Sequence, residues 1–215
     1  MMLSMKRFVF ATLLCLMSLS SWAQKPVSET EQKQMVAQME KAVANMKTLQ
    51  CDFRQVKHLS LLDNDMTSQG RMYFKGGDRL RWEYTSPYKY CFVLNNDKVM
   101  MRGANEKVNV IDVRSSRLFQ EITRIMMNSI TGQSLSSKAD FSVTMYRKGT
   151  EWEARLVPQK KEMKRMFSLI TLHIDVKTKM VVCVEMKEAT GDTTVIYLEN
   201  ARQNIGISDN IFDIK

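Results

Sequence analysis

Residues on which enzyme active sites and metal sites commonly depend are scarce in this sequence. It contains two histidines, His58 and His173, and each stands alone in an alternating, strand-like pattern. They cannot form a histidine-rich metal site, and neither has an obvious cysteine partner for nucleophilic catalysis. No glycine-rich phosphate loop follows a predicted strand, and no Gly-x-Ser-x-Gly motif is present. We therefore predict no enzymatic activity, and we predict that His173 is an exposed strand histidine.

Cysteine is almost as scarce, with four residues in the chain. Cys15 lies in an N-terminal apolar run, which leaves Cys51, Cys91 and Cys183 for the folded domain. An odd number leaves at least one thiol unpaired, and the spacings match no metal-binding pattern. Each of the three lies in an apolar, strand-like run, so we predict buried small side chains rather than a redox or metal site. The pairing stays open, and no cofactor is predicted.

Long apolar runs are missing except at the N-terminus. There, two basic residues precede apolar residues 8–19, a run too short to remain as a membrane span. A small-x-small cleavage motif ends at Ala23, so we predict a signal peptide over residues 1–23. The expected product is a soluble, exported protein with one domain over residues 24–215.

Acidic residues are outnumbered by basic ones, which gives a formal net charge of +9. A cationic surface suits contact with anionic lipid, although lysines that keep a strand-rich protein soluble explain the charge more simply. The basic clusters at 160–161 and 164–165 have no interleaved aromatic residues, and export argues further against nucleic acid. We predict that the protein does not bind nucleic acid.

Strand-like alternation dominates the rest of the chain. A capping-box pattern at Ser28 and Glu31 begins a predicted helix, which an apolar stripe from Met35 to Leu49 extends to about Thr48. From residue 50 the apolar period changes to two. Polar turns separate the runs that predict strands: CDFRQVKH, GRMYFK, RLRWEY, YCFVL, VMMRG, KVNVIDV, DFSVTMYRK, EWEARLVP, FSLITLHIDV, MVVCVEMKE and TTVIYLENARQ.

One segment between these runs has helical periodicity instead. Residues 117–131 place Leu118, Ile122, Ile125 and Met126 on one stripe. The predicted fold is therefore mainly β with flanking helices, built on one antiparallel sheet of about ten or eleven strands. An open sheet of that size usually curls or closes, and a curled sheet has a concave side that the two helices can cover. We expect the second helix to lie over the mouth of this sheet.

The inner side of the curled sheet is expected to carry flexible apolar side chains. The chain has 18 methionines, whose adaptable side chains suit a pocket for varied acyl chains, although each single one is more simply explained as core. Period two in RLRWEY places Leu80, Trp82 and Tyr84 on the concave side. The alternate residues are then expected to point to solvent: Arg79, Arg81 and Glu83.

Several motifs resemble the LolA family of periplasmic lipoprotein carriers. A Phe-x-Gln pattern occurs in the first predicted strand, and a glycine begins the next. The stretch RLRWEYTSP matches the family's Arg-Trp-x-Tyr-x-x-Pro block, and an aliphatic–Thr strand, an Asn and a Phe follow near the C-terminus. The resemblance covers essentially the whole mature chain. The matching residues are Phe53, Gln55, Gly70, Arg81, Trp82, Tyr84, Pro87, Thr194, Asn204 and Phe212.

This resemblance implies a half-barrel of antiparallel strands whose apolar concave face is covered by a helical lid. It also implies that the protein is periplasmic and receives the acyl chains of lipoproteins in this hollow. It implies acylated lipoproteins as cargo, an inner-membrane lipoprotein-releasing transporter as donor, and an outer-membrane receptor or the outer membrane itself as acceptor. A monomer is expected. Better-known relatives hold the lid shut with an Arg before a Pro, where this chain has Gly76 and Gly77. We therefore predict closure by apolar contact of Ile122 and Met126 with Trp82.

The predicted lipid contacts are apolar side chains of the strands and of the second helix: Met72, Phe74, Leu80, Trp82, Tyr84, Phe92, Met100, Leu118, Ile122, Ile125, Met126, Phe141, Val143 and Met145. The same fold also suits an exported lipid-binding sensor or regulator, or a structural module whose inside its own side chains fill. A lipid hydrolase has less support, because neither histidine lies in a Ser-rich or Gly-rich loop. Acylated cargo that co-purifies with the native protein would favour the carrier.

Overall fold

A single antiparallel sheet makes up most of the molecule. The computed structural model describes residues 25–62, 64–76, 78–103, 107–115, 120, 135–136 and 139–213. The strands among these residues are β1 Thr48–His58, β2 Met66–Lys75, β3 Arg79–Ser86, β4 Tyr90–Asn95, β5 Lys98–Arg102, β6 Val108–Asp112, β7 Phe141–Lys148, β8 Glu151–Pro158, β9 Phe167–Asp175, β10 Val181–Glu188 and β11 Thr193–Gln203. The predicted mainly β fold is confirmed: the described strands form one sheet, which is not closed into a barrel.

The strand order brings the first and last strands together. It runs β6-β5-β4-β3-β2-β1-β11-β10-β9-β8-β7, so every neighbouring pair except β1 and β11 is consecutive in the chain. This order leaves β6 and β7 as the two edges, and residues 113–140 connect one edge to the other. The second predicted helix, at 117–131, falls in this connection. Its predicted contacts lie outside the described residues: Leu118, Ile122, Ile125 and Met126.

Helix α1, Glu29–Val43, begins where the capping pattern predicts. The Ser28 hydroxyl accepts a hydrogen bond from the Glu31 amide at 3.2 Å, which satisfies one of the free N–H groups of the first turn. The helix is shorter than predicted, because the chain already pairs as β1 from Thr48 onward. Leu49 is therefore buried as a strand residue and not as part of the helical stripe.

A second helix, α2 Lys161–Met166, connects β8 to β9. The sequence did not predict it, because six residues are too few to show a helical stripe and Met163 is its one buried residue. Among the described residues, short 3-10 turns include Val113–Ser115 and Asp209–Phe212. Within the part of the chain that the structure describes, no helix is long and apolar enough to cross a membrane.

Side-chain alternation gives the sheet two different faces. We call the face that bears Phe53, Trp82 and Met145 the inner face, and the opposite one the outer face. The inner face carries two buried clusters. The first, the helix-covered cluster, joins α1 to β7, β8 and β9: Met35, Met39, Leu135, Phe141, Met145, Trp152, Ala154, Leu156, Met163, Ile170, Leu172 and Ile174. The second, the aromatic cluster, lies on β1 to β5: Leu49, Cys51, Phe53, Met72, Phe74, Leu80, Leu94 and Val99.

The C-terminal tail, residues 205–213, covers part of the outer face. Ile207 and Phe212 are buried there against Cys91 and Val93 of β4. A phenylalanine at 0 % exposure so near the end of the chain shows that the tail is part of the folded core.

This tail corrects one prediction about strand β3. Arg79, Arg81 and Glu83 do lie on the face opposite Trp82, as period two requires, but they do not point into open solvent. Arg81 makes a two-bond pair with Glu83, at 2.9 and 3.0 Å, and donates a third hydrogen bond to the Ile211 carbonyl at 3.0 Å. Because the tail packs on this face, these polar side chains are half-buried and not exposed as predicted.

Candidate functional site

Three aromatic rings lie together at the centre of the inner face. The rings of Phe53 on β1 and Trp82 on β3 stack with centroids 4.3 Å apart and planes at 26°. Tyr84 meets Phe53 edge-on, with centroids 5.0 Å apart. Such pairs add roughly 0.5–1.5 kcal/mol each beyond the burial of their surface. The stacking holds a large apolar surface in a fixed orientation.

A glycine between these strands makes the stacking possible. Gly70 lies on β2, paired with Phe53 on one side and Tyr84 on the other. A Cβ atom at this position would lie 2.5 Å from Cζ of Phe53 and 2.0 Å from the Glu83 carbonyl oxygen. The Phe53 ring therefore occupies the space that a side chain at Gly70 would need.

A hydrogen bond fixes the tyrosine at the end of this group. The Tyr84 hydroxyl donates to Oε1 of Gln55 at 2.9 Å. Burial raises the pKa of Tyr84 above its ordinary value, so the phenol stays protonated and able to donate at neutral pH. The bond satisfies polar atoms of two half-buried side chains within an apolar surface.

Packed against the aromatic cluster lie apolar side chains that remain half-buried. They come from four strands but share the inner face: Trp82, Tyr84, Phe92, Met101, Ile196 and Leu198. Their cross-strand pairing makes them neighbours, since Phe92 pairs with Trp82 and Leu198 with Phe53. Such a surface suits an apolar ligand, because binding removes the ligand from water. Binding of this kind needs no charged side chain.

The structure places most of the predicted contacts of the strands on the inner face. Within the aromatic cluster, Met72, Phe74 and Leu80 are buried, so their side chains are closed to a ligand in the conformation that the structure describes. Half-buried contacts beside them are Trp82, Tyr84 and Phe92. In or against the helix-covered cluster lie Phe141, Val143 and Met145. Their role in lipid binding stays a prediction.

Met100 is the exception, and its predicted position is wrong. It pairs with Val93 and packs beneath the C-terminal tail on the outer face, while Met101 lies on the inner face with Phe92. The run Val99-Met100-Met101 is apolar throughout, so alternation alone cannot assign its faces; the register with β4 decides. The cross-strand pairs run from Trp82 to Phe92 and from Phe92 to Met101, so this register identifies Met101 as the residue on the inner face.

The prediction for His173 is wrong as well. The residue is buried, at 6 % exposure, and it lies on the outer face between carboxylates of two neighbouring strands. Its partners are Glu151 and Glu185. These contacts join residues 12 and 22 positions away in the chain, so no local pattern indicates them. Cys51, Cys91 and Cys183 are buried, as predicted, and unpaired.

Five of the ten residues that carry the family motifs meet in one place. Phe53, Gln55, Gly70, Trp82 and Tyr84 are the stacked rings, the hydrogen bond and the glycine described above. Their fold and contacts define a class of protein: an open antiparallel sheet organised around an apolar inner face.

Comparison with known proteins places the chain within that class. It belongs to the family described as outer membrane lipoprotein carrier protein LolA, whose model matches residues 44–215. A relative from Methylococcus capsulatus, named outer-membrane lipoprotein carrier protein, is 28% identical over 169 residues, which cover 77% of this chain and 76% of the relative.

Solved structures with a similar fold are much more distant in sequence. The MucA/MucB complex of Pseudomonas aeruginosa matches with a TM-score of 0.51 and 11% identity, over 85% of this chain and 60% of that chain. A LolA superfamily protein from Nitrosomonas europaea matches with a TM-score of 0.44 and 8% identity, over 84% and 96% of the two chains. At such identities the first likeness indicates the fold alone.

Proposed function

We propose that this protein is a periplasmic carrier that binds the acyl chains of lipoproteins on its inner face and delivers them from the inner to the outer membrane. Membership of the LolA family and the name of the Methylococcus relative support this proposal. The observation that carries it is the strip of half-buried apolar side chains packed against the aromatic cluster on the inner face, which includes Trp82.

The energy of such binding comes from burial of methylene groups. Each one removed from water contributes about 0.8 kcal/mol, so an acyl chain of about sixteen carbons gains on the order of ten kcal/mol. A surface of aromatic, isoleucine and methionine side chains supplies that shelter without any covalent step or cofactor. Methionine adds adaptability, because its unbranched side chain fits chains of different shape.

A carrier of this kind cannot supply energy for transfer by itself. Loading requires a donor, which we propose to be an inner-membrane lipoprotein-releasing transporter. Unloading requires an acceptor of higher affinity, either an outer-membrane receptor or the outer membrane. Direction then follows from the order of affinities, since a ligand moves toward the partner that holds it more tightly.

Two adjacent residues of β11 allow a direct test. Ile196 lies on the inner face beside the aromatic cluster, and Val195 is half-buried on the outer face. Purified chain is titrated with a synthetic triacylated lipopeptide, and binding is followed by quenching of tryptophan fluorescence and by native mass spectrometry. Ile196→Ser should weaken binding about tenfold or more, because it places a hydroxyl in the apolar strip. Val195→Ser should bind as the parent does.

Three results would contradict the proposal. The parent chain could fail to bind the lipopeptide, it could bind the unacylated peptide equally well, or both serine variants could lose the same affinity. Circular dichroism and thermal unfolding of each variant separate loss of the site from loss of the fold.

A further inference from the structure

A group of side chains with metal-ligating atoms lies on the outer face, away from the apolar strip. His173 on β9 pairs directly across the sheet with Cys183 on β10, and Glu185 follows two residues later on the same face of β10. One potential ligand atom from each of the three residues lies within 4.8 Å of those from the other two. The ligand atoms of these three residues therefore lie together, although the spacing of the residues in the sequence matches no metal-binding motif.

A fourth residue fixes the orientation of the imidazole ring. Oε2 of Glu151, on the neighbouring strand β8, lies 3.2 Å from Nδ1 of His173. The opposite ring nitrogen, Nε2, lies 2.9 Å from Oε1 of Glu185. In the tautomer with the proton on Nδ1, that N–H donates to Glu151 and leaves the Nε2 lone pair available to a metal ion, which is the arrangement by which carboxylates orient metal-binding histidines.

The surroundings combine burial with access. His173 and Cys183 are both buried, at 6 % and 9 % exposure, while the two carboxylates reach solvent. An open groove of about 400 Å³ borders the group. The charged side chains around it are Arg54, Lys148, Glu151, Glu153, Glu185 and Glu199.

We propose that His173, Cys183 and Glu185 form a zinc-binding site on the outer face, with Glu151 as the residue that positions His173. Nitrogen, thiolate and carboxylate donors suit Zn²⁺, which takes four ligands in a tetrahedron, and the groove leaves the fourth position open to water. Tetrahedral zinc holds its ligand atoms roughly 3.3–3.8 Å apart, so shifts of about 1 Å bring the three donors around one ion. The site cross-links β9 to β10.

Zinc binding at this site requires the loss of a proton from the thiol. Burial, and then the charges of Glu185 and Glu151, raise the pKa of Cys183 to about 11. A divalent cation bound beside Cys183 opposes the part of this pKa increase that the carboxylates cause. Both carboxylates, and the thiolate that forms, attract the cation.

The test uses the purified full-length chain and Zn²⁺ alone. Equilibrium dialysis with elemental analysis should find one zinc per chain, and substitution of Co²⁺ should give a thiolate charge-transfer band in the near ultraviolet. Cys183→Ala should remove the band and lower the zinc affinity at least 100-fold. Glu151→Gln, which keeps the shape of the positioning residue, should lower it by about 10- to 100-fold. Cys51→Ala is the control, since that buried cysteine lies on the inner face.

A parent chain that binds no zinc, or binds cobalt without a thiolate band, would overturn the proposal even if a variant failed to fold. Equal zinc affinity in Cys183→Ala and the parent would overturn it too. The site lies on the face opposite the apolar strip, so the lipopeptide test and the zinc test can fail independently.

Discussion

The ring of Phe53 stacks on that of Trp82 across a strand that lies between them, with centroids 4.3 Å apart. Strand β2 separates β1 from β3, so the two rings meet above it and cover Gly70. An aromatic ring over a glycine in a sheet compensates for the side chain that the glycine lacks. Three residues from three strands thus form one packing unit, and each depends on the other two.

Gly70→Ala should be strongly destabilising. The added methyl group would lie 2.0 Å from the Glu83 carbonyl oxygen, which belongs to the backbone and cannot rotate away. Overpacking of this kind costs typically 1–3 kcal/mol, and a backbone clash should bring the loss to the upper end of that range or beyond. Urea unfolding of the variant and the parent measures the difference.

Gly76→Ala is the matched control for that experiment. A Cβ at Gly76 meets nothing closer than the Lys47 carbonyl oxygen at 3.6 Å, an ordinary contact. Its free energy of unfolding should stay within about 0.5 kcal/mol of the parent, as for most surface substitutions. Equal losses in both glycine variants would mean that the Phe53 ring does not occupy the space above Gly70.

Local patterns in the sequence determine the strands and most side-chain faces, because period-two alternation is a property of each strand by itself. Leu80, Trp82 and Tyr84 lie on the inner face for that reason. Contacts outside the strand itself decide the rest. The register of β5 against β4 sends Met100 outward, the tail covers Arg81, and two distant carboxylates enclose His173. The tail lies 130 residues from Arg81, and the two carboxylates lie 12 and 22 residues from His173, whereas Met100 depends on the nearby hairpin partner Val93.

Tyr84→Phe should cost about 1 kcal/mol of stability, since it removes the hydrogen bond to Gln55 and leaves that amide oxygen without its partner in an apolar surface. Thermal and urea unfolding should both register the change. Tyr88→Phe, at a tyrosine that is 71 % exposed, serves as the control and should leave stability unchanged. A Tyr84→Phe variant as stable as the parent would show that water satisfies Gln55 equally well.

Phe212→Ala should detach the C-terminal tail from the outer face. The ring is fully buried against Cys91 and Val93, and truncation of a buried phenylalanine costs about 3–5 kcal/mol. Carboxypeptidase should then remove the tail faster than from the parent. Asn210→Ala, at an exposed residue of the same turn, should change neither stability nor digestion. Equal digestion of the parent and the Phe212 variant would mean that the ring does not anchor the tail.

The attachment of this tail should also depend on pH. A hydrogen bond from Lys75, and the nearby charge of Arg79, hold the pKa of Asp209 below its ordinary value. A carboxylate with a lowered pKa in the folded state stabilises that state at pH above the ordinary value of 3.8, and the contribution disappears as pH falls through the folded pKa. Asp209 is an exposed residue, so the effect should be small and should weaken further in high salt.

The variant Asp209→Asn isolates this effect. Its melting temperature should lie below that of the parent at neutral pH, and the two should converge as the solution is acidified past the folded pKa of Asp209. Asp213→Asn makes the same change of charge at another exposed residue of the tail, for which no ion pair is found among the described residues. If Asp213→Asn shows the same pH-dependent difference, the cause is net charge. If neither variant differs from the parent at any pH, the contacts of Asp209 with Lys75 and Arg79 contribute nothing to holding the tail.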